Sequence, residues 1–377
     1  MPFLNRIFAQ CSLNWLLANL PLAFYRVYIR MYFMKKPTIS TAVFVLPVLL
    51  FLFNTGCQEA VKDKEELKKE KEVTTAAKQD SVLTKIDTAD YDKRMLALSN
   101  NDTAGKWPVK TPYPLPGALL PYNRIIAFYG NLFSKRMGIL GELPKDSMFK
   151  KLQDEVAQWQ AADPTVKTIP ALHYIVTTAQ VSPGKGNTYR LRMPLNQVDT
   201  IINWAKEINA VVFVDIQVGH STVKAEVLPL EAHLALPNVH LGIDPEFSMK
   251  NGERPGSKIG TFSSDDINDA IDFLAAVVRK NNLPPKVLII HRFTQGMVTG
   301  YDKIKKVPEV QVVMDMDGFG DKILKRSTYL RYIYKEPVQF TGFKLFYKND
   351  TKPNTSGMYT PAELLQFTPK PSYIQYQ

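Results

Sequence analysis

The chain has 377 residues, 45% of them hydrophobic, which is enough apolar material for one barrel-sized domain with appendages. Its formal net charge is +11, and five of its basic side chains, with no acidic ones, lie in the first 56 residues. The rest of the charge is spread along the chain without a long basic stripe or interleaved aromatic residues, a pattern that argues against nucleic-acid binding.

Residues 34–56 carry the pattern of an export signal. Two lysines follow Met34, an apolar run comes next, and small residues precede Cys57 in the ending NTGC. The run is short for a membrane span but suits the hydrophobic region of a signal peptide. The ending resembles a bacterial lipoprotein signal, in which cleavage before the cysteine exposes it to lipid, so Cys57 is the predicted lipidation site. A single membrane anchor with Cys57 as a bystander is the alternative.

The flanking segments complete the predicted domain organisation. Residues 1–33 are interpreted as an upstream extension that is not part of the native protein. Residues 57–110 are charged and poor in aromatic residues, as expected of a flexible tether, and the barrel domain is predicted to cover residues 111–377. The residue after Cys57 is Gln58 rather than aspartate, which favours the outer membrane of a bacterial cell envelope. No cysteine follows Cys57, so disulfides and thiol nucleophiles are excluded from the folded part.

From residue 124 onward, short β-branched runs alternate with amphipathic helical stretches, which predicts a parallel sheet built from βα units. The strands are predicted at 124–130, 171–178, 210–217, 238–247, 286–293, 310–319, 342–347 and 372–377. The clearest helix is SSDDINDAIDFLAAVVRKNN, which Ser263 or Ser264 can cap and which has acidic residues in its first turn. Eight strands with helices between them predict a (β/α)8 TIM-like barrel.

Polar side chains stand at the C-terminal ends of four consecutive predicted strands. Side chains alternate along a strand, and these groups share one face of each strand, which we predict to be the inner face of the barrel. The loops that follow the strands build the active site of such a barrel. Each group alone could serve only a turn or a helix cap, but their coincidence predicts a shared polar centre. The set is Asp215, Gln217, Asp244, Glu246, His291, Asp315 and Asp317.

Other side chains are predicted to complete this ring or to contact a ligand. Tyr129 ends the first strand, Phe247 follows Glu246, Lys344 lies on the seventh strand and His220 follows the third. Tyr347, Tyr376 and Gln377 are alternatives for the last two strands, and His173 and Thr177 share one face of the second strand. For each of these side chains other than Phe247 and His220, a core or rim position is favoured over a catalytic role.

Eight motifs together resemble those of a family of exported bacterial proteins, many of them lipoproteins, with a glycosidase-like barrel. They are AFYG, MGILGEL, VDIQVGHS, LPNVHLGIDPEF, LPPKVLIIHRF, DMDGFG, GFKLFY and YIQYQ. The resemblance covers about residues 120–377 and implies the barrel fold and an exported location. It implies no settled reaction and assigns no catalytic residue. The family often has tryptophan at the position of Phe247.

The leading hypothesis is a glycoside hydrolase that acts on a cell-envelope or environmental polysaccharide. Such enzymes need one carboxylic acid to protonate the leaving oxygen and a second carboxylate as nucleophile or base. Glu246 is the predicted acid, because burial and the neighbouring Asp244 raise the pKa of a carboxyl group. Asp215 is the candidate nucleophile, and Asp315 or Asp317 is the candidate base. This chemistry needs no cofactor.

Two alternatives stay open. The first is a divalent-metal-dependent hydrolase with Asp215, Asp244, His291 and Asp317 as ligands, where a single histidine speaks against zinc and leaves magnesium, calcium or manganese. The second is a barrel that binds glycans at the cell surface without catalysis, for which a lipid anchor at Cys57 is equally suitable.

Overall fold

The computed structural model describes residues 85–377. The predicted upstream extension, the signal peptide, Cys57 and residues 57–84 of the predicted tether lie outside the described residues, and they stay predictions. Within residues 85–377 no helix combines the length and the apolar character needed to cross a membrane.

Eight parallel strands form a closed barrel. They are β1 (Asn123–Gly130), β2 (Lys167–Ala179), β3 (Val211–Ile216), β4 (Val239–Ile243), β5 (Lys286–Arg292), β6 (Val310–Met316), β7 (Phe340–Leu345) and β8 (Tyr373–Tyr376). Each strand pairs with the next along the chain, and β1 pairs with both β2 and β8, which closes the cylinder. The predicted (β/α)8 barrel is confirmed, and each β-branched run that predicted a strand contains one.

Helices and short turns fill the connections between the strands. The helices are α1 (Thr88–Ser99), α2 (Ile139–Glu142), α3 (Lys145–Ala162), α4 (Leu195–Glu207), α5 (Val223–Val227), α6 (Glu231–Leu234), α7 (Ser264–Asn281), α8 (Lys322–Thr328) and α9 (Pro361–Leu364). Short strands at Arg190–Arg192, Phe262–Ser263 and Val298–Thr299 lie in the loops. Helix α7 is the one predicted most clearly, and Ser263 caps it through a reciprocal pair of hydrogen bonds with Asp266.

The alternation of side chains along each strand divides the core into two parts. On β3, Val212, Val214 and Ile216 pack in the outer core between strands and helices, whereas Phe213 packs inside the barrel. The other apolar side chains inside the barrel include Ile125, Ala127, Ala171, Val287, Ile289, Val313 and Phe340. Burial of each large apolar side chain contributes about 1.5–3 kcal/mol. These residues lie in the N-terminal and middle parts of the strands, which leaves the C-terminal end of the interior for polar groups.

Helix α1 corrects the predicted domain boundary, because it lies within residues 57–110, where the sequence predicts a tether. Tyr91 and Met95, one turn apart on α1, are buried with Leu120 and with apolar side chains inside the barrel. The charged residues around this apolar pair hide it from sequence analysis. The folded unit therefore begins before residue 111, and α1 packs against the N-terminal end of the barrel interior.

Candidate active site

Inner side chains at the C-terminal ends of the strands meet in one buried cluster, the polar centre. Its members are Tyr129 on β1, His173 on β2, Asp215 on β3, Asp244 directly after β4, His291 on β5, Asp315 on β6 and Asp317 directly after it, Lys344 on β7, and Tyr373 and Gln375 on β8. None of these residues is more than 9% exposed. Every strand of the barrel contributes, as the predicted convergence at one end of the barrel requires.

Asp215 lies in the middle of the polar centre and is 0% exposed. Its Oδ2 accepts a hydrogen bond of 2.9 Å from the hydroxyl of Tyr129. Its Oδ1 lies 3.6 Å from Nε2 of His173 and 3.6 Å from Nε2 of His291. Burial opposes the ionisation of Asp215, but the two imidazole rings outweigh burial and lower its pKa well below the ordinary value. Asp215 is therefore a carboxylate.

His291 connects Asp215 to the acidic groups of β6. Its Nδ1 lies 3.1 Å from Oδ2 of Asp317 and 3.4 Å from Oδ2 of Asp315. Burial disfavours protonation of this ring, yet the three carboxyl groups around it raise its pKa well above the ordinary value. His291 therefore links three acidic side chains from two strands.

Asp317 and Lys344 form an ion pair at the mouth of the barrel. Nζ of Lys344 lies 2.9 Å from Oδ1 of Asp317 and 3.1 Å from Oδ2. The same ammonium group stands 4.0 Å from the centroid of the Tyr129 ring. Burial raises the pKa of Asp317, but Lys344 and then His291 outweigh burial and lower it. Asp315 has a raised pKa, chiefly because of burial, although His291 opposes the shift.

Asp244 fixes the turn that carries Glu246. Its Oδ1 accepts a hydrogen bond of 2.9 Å from the backbone N–H of Glu246, and its Oδ2 accepts one of 3.3 Å from Nε2 of Gln217. Burial, supported by the charges of neighbouring aspartates, raises the pKa of Asp244 to about 7. The side chain therefore caps the 3-10 turn Pro245–Phe247 from a site where negative charge is disfavoured.

Glu246 is half-buried and lies at the edge of the polar centre. Burial, and after it the negative charges of Asp244 and Asp317, raise its pKa to about 8. Phe247, the next residue, is also half-buried. The mouth of the barrel thus holds a carboxyl group that keeps its proton at neutral pH.

Two glycines provide the space for the buried carboxyl groups. A Cβ atom at Gly242 on β4 would lie 2.5 Å from both Oδ1 of Asp215 and Nε2 of His173. A Cβ atom at Gly342 on β7 would lie 2.5 Å from Oδ1 of Asp315. Any side chain at these two positions would displace a member of the polar centre.

His173 is central, although the sequence favoured a core or rim position for it. Its Nδ1 lies 2.6 Å from the hydroxyl of Tyr373 and 3.1 Å from Nε2 of Gln375, and burial lowers its pKa to about 4. The sequence signal that could have found it is alternation along β2, which places His173 on the same face as Ala171, a residue inside the barrel. Thr177 is out of phase with it, because the register of β2 shifts between Ile175 and Thr177.

The inner face of β8 also differs from the alternatives that the sequence offered. Tyr373 and Gln375 point inward, while the hydroxyl of Tyr376 accepts a hydrogen bond of 2.9 Å from Trp159 in the outer core. Gln377 donates to the backbone oxygen of Met137, and Tyr347 donates to Glu155. A strand of four residues at the end of the sequence carries too little alternation to fix its phase.

His220 lies apart from the polar centre. Its Nε2 is 2.6 Å from the backbone oxygen of Glu253, and its ring packs on Tyr189 with 4.3 Å between centroids. It borders a separate cavity of about 460 Å³ that Lys250 and Asp266 also line. The structure therefore gives His220 a loop-packing position outside the polar centre.

No known protein family and no curated protein matches the chain. Among solved structures, a hyperthermophilic endo-β-1,4-glucanase in complex with substrate shares 10% identity at a TM-score of 0.37, over 68% of this chain and 89% of that chain. A sugar phosphate isomerase/epimerase from Parabacteroides distasonis shares 8% identity at a TM-score of 0.31, over 71% of this chain and 90% of that chain. A dihydropteroate synthase from Burkholderia cenocepacia, complexed with 7,8-dihydropteroate, shares 10% identity at a TM-score of 0.31, over 71% of this chain and 92% of that chain. Similarities this weak carry no argument about function, and the barrel assignment rests on the strand pairings.

Proposed function

We propose that the barrel is a glycoside hydrolase that cleaves a polysaccharide, with Glu246 as the general acid and Asp317 as the second carboxylate. The observation that carries the proposal is that two carboxyl groups at one mouth have opposite electrostatic environments. Burial and negative neighbours keep Glu246 protonated, whereas Lys344, 2.9 Å away, keeps Asp317 ionised. Titratable groups whose environments push their pKa values apart are the expected acid and base of such a site.

Glu246 has the properties that a general acid requires. It is half-buried, whereas Asp215 and Asp315 are 0% exposed, so a substrate that reaches the rim meets Glu246 first. The hydrogen bond from its backbone N–H to Asp244 holds the turn in place. With a pKa of about 8, the side chain carries a proton at neutral pH that it can give to the leaving oxygen.

Asp317 has the properties of the second carboxylate. It is held by Lys344 and faces His291, so its orientation is fixed and its charge is balanced. Depending on its separation from Glu246 in the bound complex, it attacks the sugar directly or activates a water molecule. Asp215, the nucleophile suggested by sequence, is enclosed by Tyr129 and two imidazole rings, and we assign it a positioning role.

Aromatic side chains beside the mouth support a sugar as substrate. Phe319, two residues beyond Asp317, is 53% exposed, and Phe133, three residues beyond β1, is 65% exposed. Both belong to loops that follow strands, so they lie on the active-site side of the barrel. Exposed rings at this rim offer apolar faces on which sugar rings can stack.

The proposed location is the bacterial cell envelope, where a lipid on Cys57 would anchor the protein in the outer membrane. The support for it is the sequence signal NTGC and the lysines at its start. A lipid anchor and a tether would hold the barrel next to envelope polysaccharides.

The test is reducing-sugar release by the full chain from a panel of envelope and environmental polysaccharides. We expect release from at least one polymer and a loss of about 10²–10⁴-fold in Glu246→Gln, the range for a general acid. Glu207→Gln is the matched control, because Glu207 is a surface residue of α4 that is 50% exposed. Circular dichroism of both variants separates loss of chemistry from loss of folding. Equal activity of wild type and Glu246→Gln would refute the proposed acid.

Glycan binding without turnover is the second candidate, and the exposed Phe133 and Phe319 favour it equally. It predicts that a polysaccharide binds to the wild type and to Glu246→Gln with the same affinity and that no product forms. Affinity gel electrophoresis with the same panel of polymers measures this directly.

A further inference from the structure

We infer that His173, Asp215 and His291 form a binding site for a transition-metal ion of the zinc type. The three side chains come from β2, β3 and β5, and each is 0% exposed. Among the described residues, Nε2 of His173, Oδ1 of Asp215 and Nε2 of His291 have no hydrogen-bond partner. Buried polar atoms without a partner are costly, so three of them that face one another call for a common ligand.

The distances fit a metal ion. Oδ1 of Asp215 lies 3.6 Å from both Nε2 atoms, which is too long for good hydrogen bonds. One ligand atom from each residue lies within 4.8 Å of the others. Donor atoms that bind an ion at about 2.1 Å are themselves about 3–3.5 Å apart, so the two 3.6 Å distances from Asp215 need only a small contraction to seat an ion.

An oxygen atom of a neighbouring side chain lies on the far side of each imidazole ring, as in known metal sites. Nδ1 of His291 faces Asp317 at 3.1 Å, and Nδ1 of His173 is 2.6 Å from the hydroxyl of Tyr373. When Nδ1 carries the ring proton, the lone pair of Nε2 is free for a metal. A carboxylate behind a metal-bound histidine fixes the tautomer and orients the ring.

Asp215 and Gly242 complete the arrangement. Oδ2 of Asp215 is occupied by the Tyr129 hydroxyl, so only Oδ1 is directed at the two rings. The absence of a side chain at Gly242 keeps the space beside Oδ1 and beside Nε2 of His173 open. Asp215 is thus held through Oδ2, and Gly242 leaves room beside its Oδ1 and beside Nε2 of His173.

The donor set selects the class of metal. Two imidazole nitrogens and one carboxylate oxygen suit Zn²⁺, Co²⁺, Mn²⁺ or Fe²⁺, whereas Mg²⁺ and Ca²⁺ prefer oxygen ligands only. The ligand set suggested by sequence contained a single histidine and favoured Mg²⁺, Ca²⁺ or Mn²⁺. With His173 in place of Asp244 and Asp317, the set has two nitrogen donors and no longer favours Mg²⁺ or Ca²⁺.

The ion would tie three strands together below the mouth. It would take the place of a proton on Nε2 of His291, on the opposite side of the ring from Asp317. The site does not include Glu246 or Lys344 and does not depend on the proposed hydrolysis. Its test therefore uses binding and stability as readouts rather than sugar release.

The experiment starts from the full chain dialysed against a chelator. Its unfolding temperature and visible absorption are recorded with Zn²⁺, Co²⁺ or Mg²⁺ added separately. We expect one equivalent of Co²⁺ to give the absorption bands of a protein-bound ion. Zn²⁺ at 100 times its dissociation constant should raise the unfolding temperature by about 5 °C, and Mg²⁺ should not.

Variants separate the site from adventitious binding. His173→Gln removes a ligand and should weaken Co²⁺ binding by at least about 100-fold, while Tyr373→Phe removes only the support of that ligand and should weaken it about 10–100-fold. His240→Gln is the matched control, because His240 is a buried histidine inside the same barrel whose Nδ1 accepts from the backbone of Val287. It should bind Co²⁺ like the wild type.

Two results would overturn the inference. The first is a wild type that shows neither Co²⁺ absorption nor stabilisation by Zn²⁺, which would leave a buried imidazole and carboxylate network without a metal. The second is unchanged Co²⁺ affinity in Tyr373→Phe together with His173→Gln. If His173→Gln does not fold, the wild-type spectrum and Tyr373→Phe decide the question.

Discussion

The two halves of the barrel interior are built from the same eight strands and have opposite chemistry. Near the N-terminal ends, Ile125, Val287 and Phe340 pack with residues of α1 in an apolar core. Near the C-terminal ends, buried carboxyl groups and imidazole rings face one another, and several of their atoms have no hydrogen-bond partner among the described residues. The first half contributes to stability, whereas the second half costs stability, as expected where structure serves binding or catalysis.

Loss of a charge in the half of the interior near the C-terminal ends of the strands, the upper half, should have the largest effect on function. In Asp317→Asn the second carboxylate of the proposed hydrolysis is lost, and we expect activity to fall by about 10²–10⁴-fold. Activity on the polymer identified by the screen measures this. Asp265→Asn, at the exposed start of α7, is the control and should keep full activity. An active Asp317→Asn would show that another group supplies the carboxylate.

Loss of apolar volume in the apolar half near the N-terminal ends of the strands, the lower half, should instead reduce stability. Ile289 lies on β5 two residues before His291 and is 0% exposed. Ile289→Ala should lower the free energy of unfolding by about 2–5 kcal/mol, through lost burial and a cavity. Ile259→Ala, at a position that is 41% exposed, should change it by less than about 0.5 kcal/mol. Denaturant unfolding of both variants tests whether burial accounts for the difference.

A methyl group placed at the border of the two halves should disturb the upper one. In Gly242→Ala the new Cβ would lie 2.5 Å from Asp215 and His173, and we expect a loss of about 1–3 kcal/mol with loss of Co²⁺ binding. Gly296→Ala adds a methyl group where nothing lies within 4 Å. Its Co²⁺ binding should match the wild type. A fully stable, metal-binding Gly242→Ala would contradict the described packing.

The last prediction concerns the pH dependence of stability. The pKa of Glu246 is about 8 in the folded protein and about 4.3 in an unfolded chain. Between these values the folded protein binds the proton and the unfolded chain does not, so stability falls as pH rises from about 5 to about 8. Glu246→Gln should flatten this slope, measured as unfolding temperature against pH, while Glu207→Gln should keep it. Equal slopes in wild type and Glu246→Gln would mean that Glu246 ionises normally.

Much of the candidate site could be predicted because the signal is local. Alternation along β3 places Asp215 on the same face as Phe213, and the same rule places His291 with Ile289 on β5. A polar group at the end of an apolar run is visible in the sequence, and the barrel rule then brings such groups together. His173 has the same phase, but a single histidine within an apolar run does not distinguish a ligand from a core residue.

Other features depend on contacts between distant segments. The bulge in β2 reverses the phase after Ile175, and the short β8 has a phase that its own four residues do not reveal. Helix α1 is part of the fold because Tyr91 and Met95 meet the barrel interior, which lies far along the chain. The pKa values of Glu246 and Asp317 likewise depend on neighbours from other strands.

The sequence by itself determined the eight strands, the inward face of most of them and the types of side chain at their C-terminal ends. These properties follow from alternation and β-branching, which are local along the chain. Only the tertiary structure decided which donors face one another, because closure of the barrel places β2, β3 and β5 around a common interior. The pairing of Asp317 with Lys344, and of Asp215 with His173 and His291, is a property of that closure.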